Sequence, residues 1–170
     1  MNENLQLIVA AIEERFSATR EDFREQAILV VPVEKIEAVI RTLRDEFGFD
    51  FLSDETAVDY WPQEEPRFHL IYQVRALKPN LIVTLRVPLN GHNPHVPTIG
   101  KIFPNANWFE RELWDMFGIY FDGHSDMRRI LMPYDWEGHP LRKDYPLGYE
   151  EVQYTFNIGE IEDRKPRPKD

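Results

Sequence analysis

Cysteine is absent from all 170 residues. The chain therefore holds no disulfide, no thiolate-ligated zinc and no cysteine-ligated iron–sulfur cluster. Long apolar runs are missing as well; none approaches the roughly 20 residues that a membrane-spanning helix needs. The start, Met1-Asn2-Glu3-Asn4, lacks the basic residues and apolar run of a signal peptide. Together these absences predict a cytosolic protein that meets a membrane only through partners. Positive charge is scarce: 20 Lys and Arg stand against 30 Asp and Glu, a net charge of -10 whose field repels nucleic acid and anionic lipid. No nucleophile elbow, P-loop or Rossmann glycine fingerprint occurs.

What is present suffices for one domain. A chain of this length can bury most of its apolar surface, and 42% hydrophobic residues supply the material. Leu5, Ile8, Ile12 and Phe16 recur at helical spacing. Residues 27–31 form a continuous apolar run, expected to be a buried strand that Pro32 ends. Val33, Ile36, Val39, Ile40, Leu43 and Phe47 predict a second helix, with Gly48 placed to cap it.

Strand signals follow. Residues 49–52 read as a strand, the polar residues after them as a turn, and 57–61 as another strand. Residues 68–76 and 81–87 alternate apolar and polar around Lys78-Pro79-Asn80, the pattern of an antiparallel hairpin with one buried face. Residues 90–97 contain Gly91, Pro94 and Pro97 and read as a loop. A third helix is expected from Asn107, with Asn107 as N-cap and Glu110 three residues on completing a capping box. Phe109, Leu113, Met116 and Phe117 form its apolar face, and Gly118 its stop. The expected fold is α+β: a two-layer domain with a mixed or antiparallel sheet packed by helices, plus an extended C-terminal arm. The core domain is placed at residues 1–121, and a turn-rich segment with its interaction arm at 122–170.

Residues 108–147 hold most of the chemistry-bearing side chains. Glu110, Glu112 and Asp115 are candidate acid–base carboxylates, but Arg111 lies four residues before Asp115, which favours a charge network on the helix surface. His92 and His95 have metal-ligand spacing, yet their prolines place them in a loop with no adjoining cysteine or carboxylate cluster, so solvated histidines are expected. His124 and His139 each follow a glycine and are expected to cap backbone groups in turns rather than relay protons. Arg128, Arg129, Arg142 and Lys143 have the chemistry of an anion site. Asp126, Asp135, Glu137 and Asp144 lie among them, which favours charge pairing within the chain or to a partner. Catalytic, cofactor and metal sites are accordingly expected to be absent from the chain. Trp108, Trp114, Tyr134, Trp136, Tyr145, Tyr149, Tyr154 and Phe156 exceed what a short region can bury. Aromatics and arginine concentrate at interface hot spots. Val152, Tyr154 and Phe156 alternate, as in an arm laid along another subunit.

Several pieces of this stretch run together: Glu110-Arg111-Glu112, Asp115-Met116-Phe117-Gly118-Ile119, Gly123-His124, Arg128-Arg129-Ile130-Leu131, and Gly138-His139-Pro140-Leu141-Arg142-Lys143-Asp144-Tyr145-Pro146-Leu147. In this order they resemble the 30 kDa subunit family of respiratory complex I (NADH:quinone oxidoreductase), also called its C-type subunit. The resemblance implies a peripheral-arm component without a redox centre, with FMN and iron–sulfur clusters carried by partner subunits. It implies contact with the large quinone-site subunit (D type) and with iron–sulfur subunits (B and I types). It also implies a place on the cytoplasmic face of the inner or plasma membrane. Trp108, Glu110, Arg111, Glu112, Asp115, His124, Arg128, Arg129, His139, Arg142, Lys143, Asp144, Tyr154 and Phe156 then count as interface or signature residues. Two other readings stay open. One is the equivalent subunit of a membrane-bound hydrogenase or other ferredoxin-linked complex. The other is a free-standing carboxylate-dependent hydrolase, which requires Glu110 or Glu112 to line an open pocket.

Overall fold

A computed structural model describes residues 3–24, 26–146 and 154–164. The elements run α1 (Glu3–Phe16), β1 (Thr19–Phe23), β2 (Gln26–Val30), a 3-10 turn (Val33–Lys35) and α2 (Ile36–Phe47). They continue with β3 (Phe51–Asp59), β4 (Phe68–Ala76), β5 (Leu81–Leu89), β6 (His95–Pro97), α3 (Ala106–Phe117), β7 (Tyr120–Asp122) and α4 (Ile158–Arg164).

Five strands form one sheet in the order β1-β2-β5-β4-β3. Only β2 and β5 pair in parallel; the other neighbours are antiparallel. The sheet is therefore mixed, as expected. Period-two alternation sets which face is covered: Phe68, Leu70, Tyr72, Val74 and Ala76 of β4 are buried, as are Leu81, Val83, Leu85, Val87 and Leu89 of β5. Helices pack on that one face. Leu5, Val9 and Ile12 of α1 join Ile36, Val39, Ile40 and Leu43 of α2 in the same core cluster. Burial of these apolar side chains is the dominant favourable term in holding the two layers together.

Three expectations are corrected. Residues 49–61 are not two strands about a turn: 51–59 form one strand, β3, with a bulge between Leu52 and Asp54. The extra residue at the bulge shifts the side-chain phase. Glu55 and Asp59 thereby enter the core face while Val58 points outward. Residues 95–97 are not loop; they pair in parallel with β7 as a two-stranded ribbon. Finally, α3 starts at Ala106 with Asn105 in the cap position, and no side chain caps it. The Asn105 amide instead donates to the Leu52 carbonyl, tying the helix start to β3, and Glu110 is buried, with its oxygens bonded elsewhere.

Both central helices end at glycines in the left-handed region, Gly48 at φ 72° and Gly118 at φ 75°. A Cβ at Gly48 would meet nothing within 4 Å, whereas one at Gly118 would lie 2.7 Å from the His139 ring. Gly48→Ala should therefore cost about 1 kcal/mol, the left-handed penalty alone. Gly118→Ala should cost at least twice as much, because it also displaces the ring. Urea denaturation of the two variants checks the order.

Candidate functional site

Beyond β7 the chain has no regular structure through residue 146. Its backbone groups must find partners in the core, because unpaired buried polar groups are costly. Asp115 is the main partner. It sits on α3, four residues after Arg111, and is fully buried. Its Oδ2 accepts from the backbone N–H groups of Ile130, Leu131 and Met132 at 3.0, 2.8 and 2.9 Å. Its Oδ1 accepts from Arg129 Nη1 at 2.5 Å. Burial pushes the Asp115 carboxyl up, but these donors outweigh it and hold the group below the usual carboxylate range. The expected Arg111–Asp115 pair is not formed. Arg111 Nε and Nη2 instead donate to the carbonyls of Arg128 and Arg129. A helix-surface pair holds two exposed chains together for little gain; here both side chains turn to satisfy a strand-free backbone.

Arg129 continues the network, donating from Nη2 to the carbonyls of Trp136 and Gly138 at 2.7 and 3.0 Å. His139 places Nδ1 3.0 Å from the Asp115 carbonyl, and its ring meets Trp114 edge-on. The Leu141 N–H donates to the Met116 carbonyl, one of the last open carbonyls of α3. Thus one helix C-terminus organises residues 128–141.

A second tie holds the segment's far end. Arg67, immediately before β4, is 1% exposed. Its Nε and Nη2 donate to Asp59 of β3 at 2.9 and 3.0 Å, and its Nη1 and Nη2 to Asp144 at 3.0 and 2.6 Å. The guanidinium lies 4.7 Å from the Trp61 ring centre and 4.9 Å from that of Phe68. Asp59 also accepts from the backbone N–H groups of Lys143 and Trp61. Hydrogen bonds from Arg67, helped by Arg142, hold Asp144 well below the usual carboxylate range. Bidentate pairs of this kind fix orientation as well as adding energy. Sequence reasoning missed Arg67 and Asp59. The one available signal was a lone arginine directly before an alternating strand, with an aspartate closing the strand before it.

Glu110 is the third buried group. The Thr98 hydroxyl donates to its Oε2 at 2.5 Å and the Ile99 N–H to its Oε1 at 2.7 Å, fastening the 98–100 turn to α3. His124 Nε2 lies 3.7 Å from the carboxylate and 3.2 Å from the Asn107 carbonyl, while its Nδ1 accepts from the Asp126 N–H. A ring that accepts at Nδ1 carries its proton at Nε2. A shallow cleft beside these groups is lined by Thr98, Lys101, Asn107, His124 and Ser125 among others, and neither Glu110 nor Glu112 lines it. The pocket demanded by the hydrolase reading is therefore not met there.

The remaining candidates face outward. Glu112 is exposed, as is Arg128, which pairs with Asp126 of its own loop. Lys143 is exposed and contributes its backbone N–H to Asp59. His92 lies exposed in the 90–94 loop, and His95, in β6, pairs with Asp122 at 3.0 Å. Among the described residues no group of three or more His, Asp or Glu could hold a metal ion. Trp108 is 59% exposed and lies against Arg111, while Leu131 and Tyr134 are 60% and 94% exposed. Tyr154 and Phe156 are exposed too, with rings stacked 5.2 Å apart at a turn that leads into α4. Their alternation does not mark a strand; Tyr149 and Val152 lie outside the described residues. No helix among the described residues is long and apolar enough to cross a membrane.

The pattern of the family described as respiratory-chain NADH dehydrogenase, 30 Kd subunit, matches residues 29–151. A protein from Roseiflexus sp. (strain RS-1), named as the C subunit of NADH-quinone oxidoreductase, is 47% identical over 151 residues, covering 88% of this chain and 86% of its own. One of the same name from Herpetosiphon aurantiacus is 42% identical over 168 residues, covering 95% and 98%. Among solved structures, a trypsin-resistant fragment of Nqo5 superposes with a TM-score of 0.65 at 28% identity, over 72% of this chain and 98% of the fragment. A chain from the membrane-bound sulfane sulfur reductase, an archaeal respiratory membrane complex, shares the fold with a TM-score of 0.73 over 99% of this chain and 97% of its own, at 22% identity.

Asp59, Asp115 and Asp144 all have folded-state values below the usual range. The stability they add is therefore present above the ordinary carboxylate pKa and is lost as pH falls through the lowered values. Stability should drop progressively below about pH 4. Asp115→Asn should cost roughly 3–5 kcal/mol at neutral pH, since it leaves Arg129 without its carboxylate. The variant should also show a shallower acid slope. Equilibrium denaturation across that pH range reads both effects.

Proposed function

The chain belongs to the 30 kDa-subunit family of respiratory-chain NADH dehydrogenases, and on that premise we propose that it is a non-redox peripheral component that positions other subunits of a proton-translocating NADH:quinone oxidoreductase. The observation that carries this reading is the treatment of residues 122–146. Asp115 and Arg67 fasten the segment to the core, while Leu131, Tyr134, Trp136 and Leu141 remain exposed upon it. A fastened segment with outward aromatic and leucine side chains has little conformational entropy left to lose on binding, which is what pre-organisation supplies.

The absence of cysteine supports a role without an iron–sulfur cluster in this chain. FMN and the clusters are assigned to partner subunits. The partners proposed are the large quinone-site subunit and the iron–sulfur subunits of the B and I types. The isolated chain then has no turnover of its own, and the complex sits at the cytoplasmic face of the membrane, reached through those partners.

Two sets of variants test the proposal. Tyr134→Ser and Phe156→Ser change exposed side chains and should leave the chain's own stability within about 0.5 kcal/mol. They should nevertheless lower the amount of assembled complex on native gels, severalfold when combined. Arg111→Glu and Arg142→Glu break internal contacts and should lower both stability and assembly. Normal assembly by the double aromatic variant would overturn the docking role, and mass spectrometry of proteins that co-purify at native expression identifies the partners.

A further inference from the structure

Beneath α3 the core contains a carboxyl group that the network above does not use. Glu55 of β3 is 3% exposed, and neither of its oxygens has a hydrogen-bond partner among the described residues. Tyr72 stands opposite it on β4, fully buried, its hydroxyl likewise without a partner there. An ionised carboxylate in such a place would have neither solvation nor a counter-charge to repay its removal from water, so the group keeps its proton instead.

We propose that the seam between β3 and α3 is a proton-binding site, in which Glu55, the carboxyl without hydrogen-bond partners among the described residues, carries the proton, so that the seating of α3 on the sheet depends on it. The two carboxyls are built differently. Burial pushes the Glu110 carboxyl above the usual range too, but the Thr98 hydroxyl, the Ile99 N–H and His124 Nε2 at 3.7 Å oppose that rise. Glu55 has none of these. Among the described residues, the charged and titratable groups around it are Glu110 on α3, Asp54 on its own strand and Tyr72 on β4; none of the three can be cationic. Burial, then the charges of Glu110 and Asp54, hold the Glu55 carboxyl well above the usual range. Loss of its proton would set two negative charges under one helix. That helix also carries Asp115, which holds the N–H groups of residues 130–132. The proton thereby couples the sheet to the docked segment.

The full wild-type chain, carbon-13 labelled at glutamate, tests this by NMR titration. One glutamate should titrate far above its fellows, and its signal should be missing from Glu55→Gln but present in Glu110→Gln. Because the folded value is raised, the stability that Glu55 contributes is fully present below the ordinary carboxylate pKa and is lost as pH rises from there through the folded value. Across this window the unfolding constant of wild type should rise about tenfold per pH unit relative to Glu55→Gln. Over the same window, amide exchange at Ile130, Leu131 and Met132, corrected for its intrinsic pH dependence, should accelerate in wild type and stay level in Glu55→Gln. The absence of any high-titrating glutamate in wild type overturns the site, even if the glutamine variant fails to fold. A high-titrating Glu55 without the exchange effect overturns the coupling to α3.

Discussion

A charge removed from water must be met by other polar groups, and a backbone without helix or strand must find donors and acceptors elsewhere. Residues 123–146 and the buried Asp115 each supply what the other lacks. One carboxylate takes three consecutive backbone N–H groups and a guanidinium. Those contacts convert a sequence of turns into a fixed surface. Removing the carboxylate would leave three backbone N–H groups without this acceptor and Arg129 without its counter-charge.

Arg67 repeats the principle at the other end. It is flanked by Asp59, Asp144 and Glu64 and lies against two aromatic rings. Because β3 and β4 carry Asp59 and Phe68, the position of residues 142–145 follows from the sheet. The core domain and the segment after it are thus joined by charge pairs at one end and by a helix terminus at the other. Outward on this segment stand Leu131, Tyr134, Trp136 and Leu141, among charged side chains such as Arg128, Asp135, Glu137 and Lys143.

Much of the fold was legible because it rests on apolar periodicity. The helical spacing of Ile36, Val39, Ile40 and Leu43 and the alternation in β4 and β5 report local geometry directly. Polar residues report it less well. Ser53-Asp54-Glu55-Thr56 reads as a turn by composition, yet it lies within β3. The bulge there puts Glu55 and Asp59 inside and Val58 outside, opposite to their hydropathy. Asn107 and Glu110 have the spacing of a capping box, but a Glu110 drawn into the core by Thr98 and Ile99 cannot also reach back to cap the helix. Arg111 and Asp115 have ion-pair spacing and each serves the loop instead.

Sequence by itself determined the composition of the core, the helices and strands with clean periods, the lack of cysteine-bound centres, and the forty-residue stretch that marks the family. These depend on residue identity and short-range spacing, which a linear reading contains. The tertiary structure alone decided the charge partners: Asp115 with Arg129, Arg67 with Asp144, and Glu55 left with none among the described residues. Such pairs join residues up to 77 positions apart. Which charge is buried, and what meets it, follows from how the sheet, its bulge and α3 come together in space, since desolvation is a property of surroundings rather than of sequence neighbours.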